Sequence, residues 1–168
     1  MALLKSTWVI IILVIILIIV VLHLVGRKSV HTEILIKAKP ADVWQVMMDK
    51  GSYNQWNTVL IPIEGELTEG STVKYKFNQD ENSSSEIPST VHKIIDNELL
   101  NQKGGMAGML TYDHKYILVE VDEGTKLTIH EDYRGIFVPF WNPAPVQMAY
   151  EKLSVQLKER AEKIKSEQ

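Results

Sequence analysis

The sequence predicts an α+β fold: a curved antiparallel sheet wrapped around a long C-terminal helix, preceded by one transmembrane helix. Three observations predict it. Residues 8–25 form an unbroken apolar run, residues 31–133 hold short strand-like runs separated by turns, and residues 142–164 carry an apolar stripe at helical spacing. Sequential strands joined by short turns form an antiparallel sheet. One face of that sheet needs cover, and the C-terminal helix is the only element large enough to give it. The space between the two can be filled by side chains or left as a cavity.

The apolar run reads WVIIILVIILIIVVLHLV, with His23 as its only ionisable residue. As a helix it spans roughly 27 Å, close to the ~30 Å hydrocarbon core of a bilayer. It lacks the polar face that a soluble core helix shows at a 3.6-residue period. Trp8 suits an interfacial anchor, and Arg27 and Lys28 can snorkel at the other end. A cleaved signal peptide has a shorter apolar region ending in small residues, and His23-Leu24-Val25-Gly26-Arg27 is a poor cleavage site. The expected division is an anchor over residues 1–28 and one domain over residues 29–168, in a single-pass membrane protein. Lys5 and the amine flank one end of the run, while Arg27, Lys28, Lys37 and Lys39 flank the other. The positive-inside rule then puts the domain in the cytoplasm.

A soluble part of roughly 140 residues is a normal size for one domain. The formal charge of −3 argues against a nucleic-acid partner, which would need clustered Lys and Arg. Cysteine is absent, which excludes disulfides, thiolate metal sites and a Cys nucleophile. No His-Glu-x-x-His run or comparable ligand spacing points to a metal, and no cofactor is expected.

Residues 31–38 alternate as a strand does. Lys39 to Asp42 break it, and Pro40 fits the first turn of a helix holding Val43, Trp44, Val46 and Met47. Residues 51–57 read as a turn with a short helix. Strand-like runs follow at 59–67, 71–77, 87–95 and 98–102. Residues 78–86 read as a solvated loop, and residues 103–109 as a Gly-rich loop. Runs at 112–121 and 125–133 flank Asp122-Glu123-Gly124, a hairpin signal. Asn142 can cap the last helix, with Pro143 in its first turn. Its apolar stripe is Val146, Ala149, Tyr150, Leu153, Leu157, Ala161 and Ile164.

This order resembles the SRPBCC superfamily, also called START-like or helix-grip proteins, and in particular its polyketide cyclase/dehydrase-like branch. The resemblance is carried by Pro40-Ala41-Asp42-Val43-Trp44, by the run from Tyr53 to Asn57, and by Ile63 to Leu67 followed by Gly70. His114 to Leu118 and the run from Gly124 to Gly135 add to it, so that it covers residues 31–165 but not the anchor. It implies a helix-grip fold around a hydrophobic cavity. Members bind lipids, sterols, polyketides or other apolar molecules, and some catalyse cyclisation or dehydration. A fold follows from such a likeness; a reaction does not.

The hairpin supplies the sharpest candidate site. A two-residue loop pairs Leu118 with Leu127, Tyr116 with Ile129, His114 with Glu131 and Tyr112 with Tyr133. A one-residue slip would spoil the apolar pairs, so this register is expected. Glu131 and His114 then face inward together, as an acid/base pair or as a satisfied pair near the sheet edge. Asp113, His130 and Asp132 fall on the outer, solvated face. The Gly-rich stretch with Met106 and Met109 is either a mobile apolar rim or a plain loop. Residues 135–141 either line the cavity mouth, touch lipid or lie buried under the helix. Trp56, Met106, Met109, His114, Tyr116, Ile129, Glu131, Tyr133 and Tyr150 are the expected ligand-binding residues. The leading expectation is a membrane-anchored domain that holds a hydrophobic small molecule or lipid. Its rivals are a cyclase/dehydratase-like enzyme using Glu131 and His114, and a protein-interaction domain.

Overall fold

The fold is that of a computed structural model, which describes residues 7–80 and 82–166. Lys5, used above for orientation, and Glu81 lie outside the described residues. Helix α1 (Thr7–Val25) meets strand β1 (Arg27–Ile36) with only Gly26 between them. Two short helices follow, α2 (Pro40–Met48) and α3 (Tyr53–Trp56), then β2 (Leu60–Glu64), β3 (Thr72–Asn78), β4 (Ser84–Ile95), β5 (Leu99–Met106), β6 (Leu110–Val121) and β7 (Gly124–Arg134). Helix α4 (Ala144–Ser166) completes the order. The seven strands form one antiparallel sheet in the order β1-β7-β6-β5-β4-β3-β2.

Alternation along the strands sorts side chains into two faces, and the concave face closes on α4. Val30, Ile36, Val73, Val91, Leu100, Leu118, Leu127 and Ile129 are buried there against Leu153, Leu157 and Ala161 of the helix. Val43, Trp44, Val46 and Met47 of α2 are buried in the same core. Asn142 Oδ1 accepts from Ala144 N, but Pro143 stands just before the helix rather than in its first turn.

Sheet order leaves β1 with one free edge. Side chains from α4 occupy it: Gln147 bonds both His31 N and His31 O, Lys158 donates to Leu35 O, and Glu162 accepts from Lys37 N. An edge strand so covered offers few free backbone groups to another chain.

Three boundaries differ from the sequence reading. Strand β1 begins at Arg27, two residues before the expected start of the domain. Strand β4 begins at Ser84, opposite Asn78, so the polar loop is shorter than expected. The Gly-rich stretch is mostly strand: β5 runs through Gly104 and Gly105 to Met106. Gly104 is required there by close approach. The Tyr112 side chain crosses it to donate to Pro88 O at 2.8 Å, and a Cβ on residue 104 would collide with that phenol.

Asn57 fixes the turn into β2. Its Oδ1 accepts from Val59 N and Leu60 N, each at 2.9 Å, and its Nδ2 donates to Leu60 O at 2.9 Å. The residue is 2% exposed, so truncation strands three backbone groups away from water. Asn57→Ala is expected to cost about 2–3 kcal/mol in denaturant unfolding. Exposed Asn54→Ala should be neutral, and equal midpoints for the two would refute this role for Asn57.

Candidate ligand-binding site

The sheet does not close fully on α4, and a cavity of about 310 Å³ lies between them. Leu60, Phe77, Ile87, Leu110 and Val146 give it apolar walls. Tyr75, Tyr112, Tyr133, Trp141 and Tyr150 add aromatic ones. Tyr133 packs on Trp141 with ring centroids 4.3 Å apart.

One cluster of polar side chains interrupts this lining. His114 and Glu131 sit opposite each other on β6 and β7, as the two-residue hairpin requires. His114 Nδ1 lies 3.2 Å from Glu131 Oε2, and the Tyr150 hydroxyl of α4 donates to the same oxygen. Both members of the pair are almost wholly buried, with side chains 3% and 4% exposed. A carboxylate can only accept, so a hydrogen bond from His114 uses an Nδ1 proton. In the neutral imidazole Nε2 is then left with a lone pair. That Nε2 is buried and has no partner among the described residues. A buried polar atom without a partner is costly, and a ligand group is one way to satisfy it. Deeper in the wall, Gln102 Nε2 donates to the Tyr75 hydroxyl at 2.7 Å.

Burial pushes the Tyr75 and Tyr112 hydroxyls up to about 12. It pushes those of Tyr133 and Tyr150 up as well, and the charge of Glu131 adds to the effect. These phenols therefore remain protonated at neutral pH and keep their donor capacity.

Of the residues expected to bind a ligand, His114, Glu131, Tyr133 and Tyr150 line this cavity. Tyr116 and Ile129 do not; they are packed into the core beside it. Trp56 lies elsewhere, against Tyr53 at 4.9 Å. Met106 and Met109 stand exposed around the β5–β6 turn, and Met109 contributes to a groove beside α1 instead. Sequence reasoning missed Tyr75, Gln102 and Tyr112. Their inward positions on β3, β5 and β6 follow from strand alternation, but only the curvature of the sheet makes them neighbours. The 135–141 segment divides: Val138 is buried, Trp141 lines the cavity, and Phe137 and Phe140 are exposed.

The outer face carries a charge ladder. Lys115 lies 3.7 Å from both Asp113 and Asp132, and His130 lies 3.2 Å from Asp132. These groups pair with one another, and among the described residues no group of His, Asp and Glu is arranged to hold a metal ion.

Residues 37–166 match the sequence profile of the family described as "Activator of Hsp90 ATPase homolog 1-like protein". The chain belongs to this family, within the SRPBCC superfamily. The match starts after β1, so α1 lies outside it. A search of curated proteins finds no match. Among solved structures, a Staphylococcus aureus protein of unknown function is similar, at 16% identity and TM-score 0.64, with 84% of this chain and 97% of that one covered. A Thermus thermophilus protein is similar at 17% identity and TM-score 0.65, with 80% and 97% covered. The di-domain ARO/CYC StfQ from the steffimycin biosynthetic pathway shares 8% identity at TM-score 0.67, and the match covers 83% of this chain and 52% of that one. At these identities the likeness is one of fold.

Proposed function

We propose that the chain is a membrane-anchored, single-pass protein whose domain binds a hydrophobic small molecule or lipid in the cavity between sheet and α4. The observation that carries this reading is the cavity itself: apolar and aromatic walls around one buried polar cluster, His114–Glu131–Tyr150. Its volume is near the lower end of small-molecule sites. The fold's habit of binding hydrophobic ligands supports it. The unpartnered Nε2 of His114 favours a ligand with an apolar body and one polar group that can hydrogen-bond to it. Helix α1 supports the anchor, being long and apolar enough to cross a membrane, a test that a signal sequence near an N-terminus also meets. The cations after it favour a cytoplasmic domain.

Native mass spectrometry of the detergent-extracted protein is expected to show a co-purified apolar ligand. Glu131→Gln keeps the shape of the cluster but removes its charge, so the variant should fold normally and select different ligands. An unchanged ligand profile in this variant would count against the polar cluster as the selector. The same pair supports a second reading, in which His114 and Glu131 act as base and acid in a cyclisation or dehydration. Then Glu131→Gln should abolish turnover while leaving binding intact.

A further inference from the structure

The cavity lies in the half of the sheet from whose end the apolar helix leaves. Helix α1 leaves from the start of β1, where Arg27 sits opposite Arg134, and Arg134 sits opposite Thr111 at the start of β6. The cavity is lined from that same end: Leu110 at the start of β6, Gly105 near the end of β5, Phe77 near the end of β3 and Ser85 near the start of β4. The opposite strand ends, including the β6–β7 turn, contribute nothing to it.

The helix exit is built without slack. Gly135 N donates to Gly26 O at 3.0 Å, Ile136 N to Gly108 O at 3.1 Å and Phe137 N to Met109 O at 3.1 Å. A Cβ on Gly26 would strike Gly135 O, and Gly135 itself has φ +141° against the Met109 carbonyl. Lys28 Nζ ties the 138–141 segment to β1 through Pro139 O and Trp141 O. One residue joins helix to strand, so the end of α1 stays beside this edge of the domain.

Around that exit the surface is apolar. Phe140 is 75% exposed, Met106 62%, Phe137 49% and Met109 38%, and Arg27 and Arg134 are exposed beside them. Apolar side chains rimmed by cations suit an interface of acyl chains and phosphate headgroups. The β3–β4 hairpin, which lines the cavity through Gln79 and Ser85, carries exposed Asp80 and Glu86 and suits water.

We infer that the rim formed by Met106, Met109, Phe137 and Phe140 is seated in the bilayer that holds α1, so that the cavity loads from the lipid phase. The inference rests on the anchor and cavity readings above. The absence of cysteine makes its test direct, because one introduced thiol takes one spin label. Full-length Leu17→Cys, Phe140→Cys and Asp96→Cys proteins are labelled in phosphatidylcholine vesicles. Collision with oxygen, which favours lipid, is compared with collision with a water-soluble nickel complex. Labels at 17 and 140 are expected to favour oxygen, and the label at 96 to favour nickel. Lipid exposure at 17 with water exposure at 140 overturns the seated rim alone. Water exposure at 17 overturns the anchor and the inference with it.

The loading route is read separately, with a pyrene-labelled fatty acid as probe. Protein and probe in the same vesicles should load at least about tenfold faster than with probe supplied in separate vesicles, since sharing a bilayer raises the effective concentration. Equal rates overturn loading from the lipid phase. No loading in either arrangement overturns the route together with the cavity's capacity for this class of ligand.

Discussion

Leu153→Asp and Leu157→Asp are expected to unfold the domain, whereas Glu159→Ala is expected to leave its thermal midpoint unchanged. Both leucines are 1% exposed and lie on the α4 stripe that the sheet grips; Glu159 is on the solvated side of the same helix. An aspartate at either leucine puts an unpaired carboxylate in the core and removes a packed side chain. The combined loss is about 5 kcal/mol or more, comparable to the whole stability of a domain. Circular dichroism melts of a chain starting at Gly26 would check this. That start keeps Lys28 and its two carbonyl partners in place. Three equal midpoints would show that the helix face is wrongly assigned.

The folded domain is expected to show no free tyrosine titration near pH 10, and to lose stability steeply above that pH. The chain has six tyrosines, at 53, 75, 112, 116, 133 and 150, and burial raises every one of them. Their folded values lie above the unfolded value near 10, so the unfolded chain loses its protons first. Stability is therefore fully present below about pH 10 and falls as pH rises towards the folded values. Each fully buried phenol contributes a loss of about 1.4 kcal/mol per pH unit in that window. Five are at most 7% exposed, Tyr112 being the sixth, so their losses add and the fall is steep. Phenolate absorbance should appear together with loss of near-ultraviolet circular dichroism. Tyrosines that ionise near pH 10 while that signal persists would contradict the burial.

Local chemistry made some of this architecture legible. Asp122 and Glu123 leave only a two-residue loop, and three apolar pairs reject the slipped register, so the His114–Glu131 juxtaposition follows from sequence. The α4 stripe was equally plain, because every apolar residue named on it is buried or packs against the core. The Gly104–Gly105 strand was not legible. Glycine has low strand propensity; Gly104 is needed there by a tyrosine from the neighbouring strand, and Gly105 by its φ of +93° against the Leu110 carbonyl. Trp56, Met106 and Met109 were expected among the ligand-binding residues, the methionines as an apolar rim or a plain loop, but they do not line the cavity. Type does not reveal that Met106 stands exposed at the end of β5 or that Trp56, at the end of α3, packs on Tyr53. The walls from β3 and β4 were missed for a related reason: cavity depth is a property of sheet curvature, which no single strand encodes.

The pairing of β1 with β7 also sets the order in which this molecule can be made. During synthesis α1 and β1 emerge early, yet β1's neighbour in the sheet ends at Arg134, and the glutamine that closes its free edge is 116 residues beyond His31. Local hairpins from β2 to β7 can form as they leave the ribosome, whereas β1 has no hydrogen-bonding partner until nearly the whole domain has followed it. Non-local closure of this kind is slow and leaves an unpaired strand exposed. A helix already held in a membrane would keep that strand apart from those of other nascent chains while it waits.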